Sequence, residues 1–414
     1  MERVILHSDI NACFANIELL YHPELKGKPI AVCGDVEARH GIVLSKDELA
    51  KKAGVKTGMA IWQAQQVCPE LAIVAPHYDR YIHYSNLIRS IYYEYTDLCE
   101  PFGIDESWLD ITGCLACPDG KSTALEIKER IKRETGLTVS IGVSWNKVLA
   151  KLGSDYKKPD AVTVIDKEHF KAMVWPLPAS DLLMVGRSTT WQLRRMGIET
   201  IGELANADAD ILGQALGKAG YMLHAFANGM DNSPVRRVGD VPPVKSIGNS
   251  TTPPRDMICD SDVKLTLLTL AESVGSRLRE AKLKCRTVEL ALRSTDLSWR
   301  SHRMRLPYAT DITEDLLDGG MLLFYECHSW PEALRGIGIR ALELIPADRP
   351  EQMDLFVNYV NLSRRQSIDR AIDKIRGKYG YYSIQRGTVF ADRQLGELNA
   401  KEDHTIHPEG FRRG

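Results

Sequence analysis

Three acidic residues stand out for what they could do together. Asp9 ends the first apolar run, and Asp105 and Glu106 are adjacent in Gly103-Ile104-Asp105-Glu106-Ser107-Trp108-Leu109-Asp110. Singly they are ordinary: an Asp ahead of a helix is a common N-cap, and Asp-Glu at a turn is usually solvated. Gathered in one place they are a ligand set for hard divalent cations. Mg²⁺ takes oxygen donors, few of them carboxylates, and completes its shell with water and substrate phosphate. Two such ions about 4 Å apart activate a hydroxyl nucleophile and stabilise a departing pyrophosphate. Asp110 is expected to be structural.

Whether the three carboxylates meet depends on the elements around them. A strand is expected at Val4–His7, then a helix from Ala12 to Leu20. A small unit with a short helix at Asp47–Gly54 follows, and a longer helix at Tyr78–Tyr95. Leu98–Phe102 and Ser107–Ile111 read as a hairpin closed at Gly103. A helix (Ser122–Glu134), a strand (Val139, Ile141, Val143), a helix (Asn146–Tyr156) and a short strand (Val162–Ile165) complete the set. With residues 21–76 taken as an insertion, the order is β-α-β-β-α-β, the ferredoxin-like split unit. That fold brings the end of its first strand beside the hairpin of its middle strands, so Asp9, Asp105 and Glu106 are expected to converge.

The rest of the chain divides by punctuation. Residues 167–232 read as small and all-helical, broken by the glycine turns Val185-Gly186-Arg187-Ser188 and Arg195-Met196-Gly197-Ile198. Residues 233–244, with Pro234, Pro242 and Pro243, are the expected linker. Residues 245–346 are mixed, with a helix at Asp262–Ala281 and strands at Thr287–Arg293, Trp299–Leu306 and Gly336–Ile345. Residues 347–414 read as a tail with one amphipathic helix carrying Ile368, Ile372 and Ile375, then irregular sequence. The fold class expected is α+β and multidomain.

Composition narrows the setting. With 44% hydrophobic and 26% charged residues among 414, the chain can bury real cores and is not a disordered one. Lys and Arg number 53 against 55 Asp and Glu, so a polyanionic partner must be met regionally, not by net charge. The basic residues cluster between Arg277 and Arg305, where nine (Arg277, Arg279, Lys282, Lys284, Arg286, Arg293, Arg300, Arg303, Arg305) face three acids (Glu280, Glu289, Asp296). Strand alternation there would array arginines along a sheet face suited to phosphates. Nine cysteines in this length fit a reducing cytosol, and Cys114-x-x-Cys117 lacks the second pair a zinc site needs. No apolar segment approaches the roughly 20 residues that span a bilayer, and the first is too short for a secretion signal. A soluble, cytoplasmic, monomeric protein is expected.

The motifs together resemble the Y-family translesion DNA polymerases. His7-Ser8-Asp9-Ile10-Asn11-Ala12-Cys13-Phe14-Ala15-Asn16-Ile17-Glu18 resembles their first signature, and the Gly103–Asp110 run their second. Ser140-Ile141-Gly142-Val143-Ser144-Trp145-Asn146-Lys147-Val148-Leu149-Ala150-Lys151, on to Lys157-Lys158-Pro159, is similar to their third. Lys245-Ser246-Ile247-Gly248-Asn249 resembles the opening of their little finger. The resemblance runs in order over about residues 1–345 and is nearest to the bacterial polymerase IV and UmuC-like branches.

The resemblance implies a palm (residues 1–20 and 77–166), fingers (21–76), a helical thumb with a helix-hairpin-helix turn (167–232) and an α/β little finger (245–346). It implies template-directed, low-fidelity addition of dNTPs to a primer, with lesion bypass. Two Mg²⁺, with Mn²⁺ able to substitute, would be held by Asp9, Asp105, Glu106 and the Ile10 carbonyl. Backbone amides at Cys13 and Phe14 would cradle the triphosphate, and Lys158 would reach its phosphates. Phe14 falls at the steric gate, the ring that excludes a ribose 2′-hydroxyl. In the fingers this sequence departs from the family: Glu48 and Lys51 stand in Ser45-Lys46-Asp47-Glu48-Leu49-Ala50-Lys51 where a Tyr and an Arg are usual. Lys51 still neutralises phosphate as a point charge, whereas ionised Glu48 cannot donate to it; Ser45 joins the nucleotide contacts. Ile42 and Leu44 are expected to roof the nascent base pair.

For DNA, the implied contacts are Gly186 and Arg187 in the thumb, through backbone amides aimed at phosphate, and Arg293, Arg300, Arg303 and Arg305 in the little finger. Gln352-Met353-Asp354-Leu355-Phe356 resembles the peptide by which bacterial polymerases dock on the sliding clamp, Leu355 and Phe356 filling a pocket and Gln352 setting register. Two other readings compete. A nucleotidyl cyclase also uses metal carboxylates on such a palm, but the thumb, basic sheet and clamp-like peptide speak against it. A non-catalytic DNA-binding scaffold conflicts with intact Asp9, Asp105 and Glu106, although Glu48 favours it.

Overall fold

A computed structural model describes residues 2–35, 41–114, 117, 119–240, 242–350, 358–396, 398 and 400. The described chain forms two compact units, one reaching to residue 240, the other beginning at Pro242.

The first unit opens on β1 (Ile5–Ile10), which continues through Asp9 where the sequence suggested a strand ending at His7. Three short strands then form a separate sheet: β2 (Ile30–Cys33), β3 (Val43–Lys46) and β4 (Ala72–Val74), in the order β3-β2-β4. The chain returns with β5 (Cys99–Phe102), β6 (Glu106–Asp110), β7 (Val139–Ser144) and β8 (Val162–Val164), giving the sheet β5-β6-β1-β7-β8. β1 lies between β6 and β7, antiparallel to both, with Asp9 opposite Glu106 and Ser140. This is the split β-α-β-β-α-β arrangement expected from the sequence.

Both faces of β1 are covered, which is why all six of its residues are buried. Leu6 and Ile10 join the core under the helices Tyr78–Tyr93 and Gly120–Thr135. The latter helix starts at Asp119, whose carboxylate accepts from the Lys121 and Ser122 amides, and stops at left-handed Gly136, signals worth about 1 kcal/mol at the N-terminus. The opposite face, carrying Ile5, His7 and Asp9, meets the helix Lys147–Tyr156. That approach is close because Gly142 and Gly153 face each other: a Cβ on Gly142 would fall 1.9 Å from the Ala150 carbonyl oxygen. Asn146 caps the helix through the Leu149 amide.

Residues 170–227 are all-helical, as expected: Phe170–Val174, Arg187–Arg195, Ile201–Asn206, Ala209–Leu216 and Lys218–Ala227 share one core with Val148, Leu149 and Leu152. Thr200 and Glu203 form a reciprocal capping box at the third of these.

In the second unit β9 (Ile247–Thr251), β10 (Leu283–Ser294), β11 (Trp299–Thr310) and β12 (Leu334–Pro346) make the sheet β11-β10-β12-β9. One face packs on the helices Asp260–Glu280 and Thr313–Cys327. The second helix and β9 have no counterpart among the elements read from sequence. The segment read as a tail also differs: helix Tyr359–Tyr379 is followed by short turns, and Val389 and Ala400 are buried in the same core as Leu267 and Ile339. Two buried carboxylates fasten it. Asp369 meets Arg279 and Arg386, while Glu272 meets Arg376 and Arg386. Among the described residues no helix is long and apolar enough to cross a membrane.

Candidate active site

The three carboxylates do converge. The hairpin turn is hooked to the end of β1 by the Ile10 amide, which donates to the Asp105 carbonyl at 3.0 Å. Behind the turn, Arg89 donates to the Gly103 carbonyl at 2.7 Å and the Ser85 hydroxyl to that of Ile104. Gly103 itself sits at φ 89°, a conformation that favours glycine. Asp105 is thus fixed by backbone, and Glu106 by its register with Asp9.

Helix Lys147–Tyr156 supplies positive charge. Lys151 Nζ lies 2.6 Å from Glu106 Oε2, and just beyond the helix Lys158 Nζ lies 2.6 Å from Asp9 Oδ2 and 2.7 Å from Asp155 Oδ1. Buried His7 sits with Nε2 3.2 Å from Glu106 and Nδ1 2.8 Å from the Ser154 hydroxyl, its ring edge-on to Trp108. Burial raises all three carboxylates, and their neighbours set them apart in acidity. It pushes Asp9 up to about 7 against the pull of Lys158, and Asp105 up to about 6 with help from Glu106. Burial also raises Glu106, but His7 and Lys151 outweigh it and hold that group down at about 2. Lys158 is held above its ordinary value, its carboxylate neighbours overcoming burial.

This is a corner of crowded negative charge with two ammonium groups seated in it. Among the described residues no three His, Cys, Asp or Glu side chains form a closed ligand set. The donor chemistry nevertheless fits a hard cation. Three carboxylates share a poorly solvated sheet edge, with Lys151 and Lys158 beside them on flexible stems.

Beside the carboxylates, helix Cys13–Tyr21 begins at Ala12 in the left-handed region (φ 43°, ψ 47°) with no side-chain cap. Its first amides therefore point outward at the helix's positive end. The Cys13 thiol is buried and pushed up in pKa by that burial. Phe14 is half-buried, stacked on Tyr81 at 4.2 Å and 8°, with Tyr78 edge-on at 5.8 Å. On the three-stranded sheet Ser45 is half-buried, Ile42 is 43% exposed, and exposed Lys51 is 3.4 Å from Glu48 one turn earlier. The two departures from the family motif are therefore paired with each other.

The remaining candidates fall in several places. Gly186 precedes helix Arg187–Arg195 without a side-chain cap, and Arg187 is exposed. In the second unit Arg303 and Arg305 lie on the open face of the sheet, whereas Arg300 points to the helix-covered face and reaches His328 Nδ1 at 2.8 Å and Glu332 at 3.3 Å. The expected row of arginines is thus split between two faces by strand alternation. Arg293 lies over the Trp299 ring at 5.6 Å. Glu289 is buried between Arg303 (2.5 Å) and Arg340 (3.4 Å), directly across the ladder from both. Gln352, Leu355 and Phe356 lie outside the described residues. Sequence reasoning passed over His7, Lys151, Ser154, Tyr81, Glu289 and Arg340 as site residues. For His7 the signal was available, two residues before Asp9 on the same strand face.

Comparison with known proteins agrees with this layout. Residues 8–155 match the sequence model of the impB/mucB/samB family, 244–355 that family's C-terminal domain, and 180–231 the thumb domain of DNA polymerase iota. DNA polymerase IV of Acetivibrio thermocellus is 46% identical over 399 residues, covering 96% of this chain and 100% of that protein. DNA polymerase IV of Moorella thermoacetica is 37% identical over 92% and 95%, and DNA polymerase IV 1 of Bacillus subtilis 36% over 94% and 93%. A solved Y-family DNA polymerase chimera superposes with TM-score 0.72 at 24% identity, covering 83% of this chain and 99% of its own, a likeness of fold.

Proposed function

The chain belongs to the impB/mucB/samB family of Y-family DNA polymerases, and we propose that Asp9, Asp105 and Glu106 hold two Mg²⁺ ions for nucleotide addition to a primer. As a DNA-directed DNA polymerase of this family it is a metal-dependent nucleotidyltransferase acting on DNA, with translesion synthesis as its role. The Ile10 carbonyl would complete the protein's share of the ligands. When bound, the ions supply the charge that activates the primer 3′-hydroxyl and stabilises the leaving pyrophosphate; Mn²⁺ has the same oxygen preference.

The chain's own groups do the rest. Asp9 and Glu106 would hold the ions in place of their lysines, and Lys158, 2.6 Å from Asp9 and 2.7 Å from Asp155, would then reach the triphosphate. The uncapped amides of Cys13 and Phe14 hold the same phosphates, with Lys51 and Ser45 reaching from the fingers. Phe14 closes the space beneath the sugar and excludes a 2′-hydroxyl. Gly186, Arg187, Arg293, Arg303 and Arg305 track the DNA backbone, with Arg300 at the sheet's edge. Gln352, Leu355 and Phe356 dock a sliding clamp, and the protein works as a cytoplasmic monomer on primer-template DNA.

The observation that carries this reading is the cross-strand register of Asp9 with Glu106, locked to Asp105 by the Ile10 amide. It is tested by primer extension with Mg²⁺ and four dNTPs on undamaged and abasic templates. The wild type should extend on both, and Asp105→Ala should be slower by about three orders of magnitude. If neither protein extends a primer that both bind, the chain is a scaffold and this assignment fails.

A further inference from the structure

Glu18 has no exposed surface, yet it carries a carboxylate. A charge so placed requires dedicated partners, and here they come from one short stretch. Tyr81 Oη donates to Glu18 Oε1 at 2.7 Å, Arg80 donates to Oε2 at 2.8 Å, and His77 Nδ1 is 3.1 Å from Oε1. Tyr81 is itself fully buried, and its oxygen also accepts from the His77 amide at 3.1 Å. Arg80 is braced in turn, its guanidinium 4.1 Å above the Tyr21 ring.

The geometry closes a loop around Phe14. Phe14 and Glu18 are four residues apart on helix Cys13–Tyr21, hence on one face of it. Tyr81 enters from helix Tyr78–Tyr93 and touches both: its ring lies flat on Phe14 at 4.2 Å and 8°, and its hydroxyl is tied to Glu18. A ring stacked at one end and hydrogen-bonded to a buried anion at the other cannot tilt without breaking a charge-assisted bond. Phe14 is only half-buried, so without that brace its ring would have room to yield.

We propose that Glu18 is a positioning residue for sugar selection: through Tyr81 it holds the Phe14 ring where a ribose 2′-hydroxyl would have to be. The proposal rests on the gate reading of Phe14. Arg80 and His77 act one step further out, keeping the buried Glu18 partnered so that it remains a strong acceptor. A gate works only as well as its resistance to displacement, since a ring that moves by a few tenths of an ångström relieves the clash that discriminates.

The test is single-nucleotide insertion of matched dNTP and rNTP, read as the ratio of their kcat/KM values. Tyr81→Phe keeps the stacking ring and removes the hydroxyl that links Glu18 and the His77 amide; the ratio should fall about tenfold. Glu18→Gln keeps a carbonyl acceptor for the Tyr81 hydroxyl and should retain most of the discrimination, whereas Glu18→Ala should match Tyr81→Phe. Phe14→Ala calibrates the gate and should lower the ratio further than any of these. Thermal unfolding of each variant separates misfolding from mispositioning. If Phe14→Ala collapses the ratio and Tyr81→Phe leaves it at the wild-type value, the proposal is overturned and the gate reading stands. A parallel fall of dNTP and rNTP insertion in Tyr81→Phe would make Glu18 merely structural, which also overturns it. If Phe14→Ala leaves the ratio untouched, the gate reading fails and the proposal falls with it.

Discussion

The carboxylate end of the first sheet and the open face of the second unit's sheet solve opposite problems with the same parts. At the first, anions are in excess and buried, Asp9 being 7% exposed, and the minority charges are lysines on long stems, Lys151 and Lys158. At the second, arginines are in excess and exposed, and the minority charge is one carboxylate, Glu289, 5% exposed between Arg303 and Arg340. Where the excess charge is buried, the counter-charge sits on a flexible stem, and on the proposed function a cation would take its place. Where the excess is exposed, the counter-charge is fixed between its neighbours, as Glu289 is between Arg303 and Arg340. A flexible ammonium is suited to the first task and a planar guanidinium to the second.

The largest effect should come from the buried anions. Asp9→Ala removes the carboxylate opposite Glu106 and, on the proposed function, should reduce extension by about three orders of magnitude at saturating Mg²⁺. Replacing Arg303 by Ala should cost less than about tenfold in DNA affinity, since exposed pairs are weak. Comparable losses from the two would erase the distinction drawn between the regions. Next comes the frame that brings the lysines in. A Cβ at Gly142 would lie 1.9 Å from the Ala150 carbonyl and 2.4 Å from the Ser154 amide, so helix Lys147–Tyr156 must move. Gly142→Ala should destabilise the chain by about 3 kcal/mol in urea unfolding. Gly186→Ala, with open space around it, should stay within about 0.5 kcal/mol. A Gly142→Ala protein with wild-type stability would mean that the helix tolerates a looser seat.

These two regions were not equally legible in the sequence. Asp9, Asp105 and Glu106 could be read because strand-end and hairpin positions are local signals, and the β-α-β-β-α-β order then forces their meeting. Lys151 as partner of Glu106 depends on a helix seated through Gly142 and Gly153, a contact between residues with no side chain to announce it. On the other sheet nine basic residues marked the region, but which arginines share a face depends on strand parity, and Arg300 falls on the opposite side from Arg303. The C-terminal segment was least legible. Val389 and Ala400 stand in apolar stretches too short to announce a core, and the segment that carries Val389 is tied down by ion pairs such as Arg386 to Glu272, over a hundred positions apart.

A smaller effect tests the movable partner directly. Lys158→Ala removes an ammonium shared between Asp9 and Asp155. If Lys158 passes to the triphosphate when the carboxylates take cations, the loss should be in nucleotide binding: KM for dNTP should rise about tenfold while kcat changes less. A loss confined to kcat would place Lys158 with the reacting atoms and end its role as an exchangeable counter-charge.

The smallest effect is the most discriminating for the fixed partner. Glu289→Gln keeps the side chain's shape and its hydrogen-bond acceptor but removes the charge that Arg303 and Arg340 share. With a carboxylate in place, a phosphate must compete for two guanidinium groups that are already partly neutralised. With an amide it need not, so affinity for primer-template DNA at low salt should rise about threefold. The dependence of log affinity on log salt should steepen by about one unit, as one more phosphate is neutralised by the face. Fluorescence anisotropy across a salt series reads both quantities. Weaker binding with an unchanged slope would mean that aligning the arginines matters more than the charge Glu289 subtracts. The second face would then depend on its minority residue as strictly as the first depends on its majority.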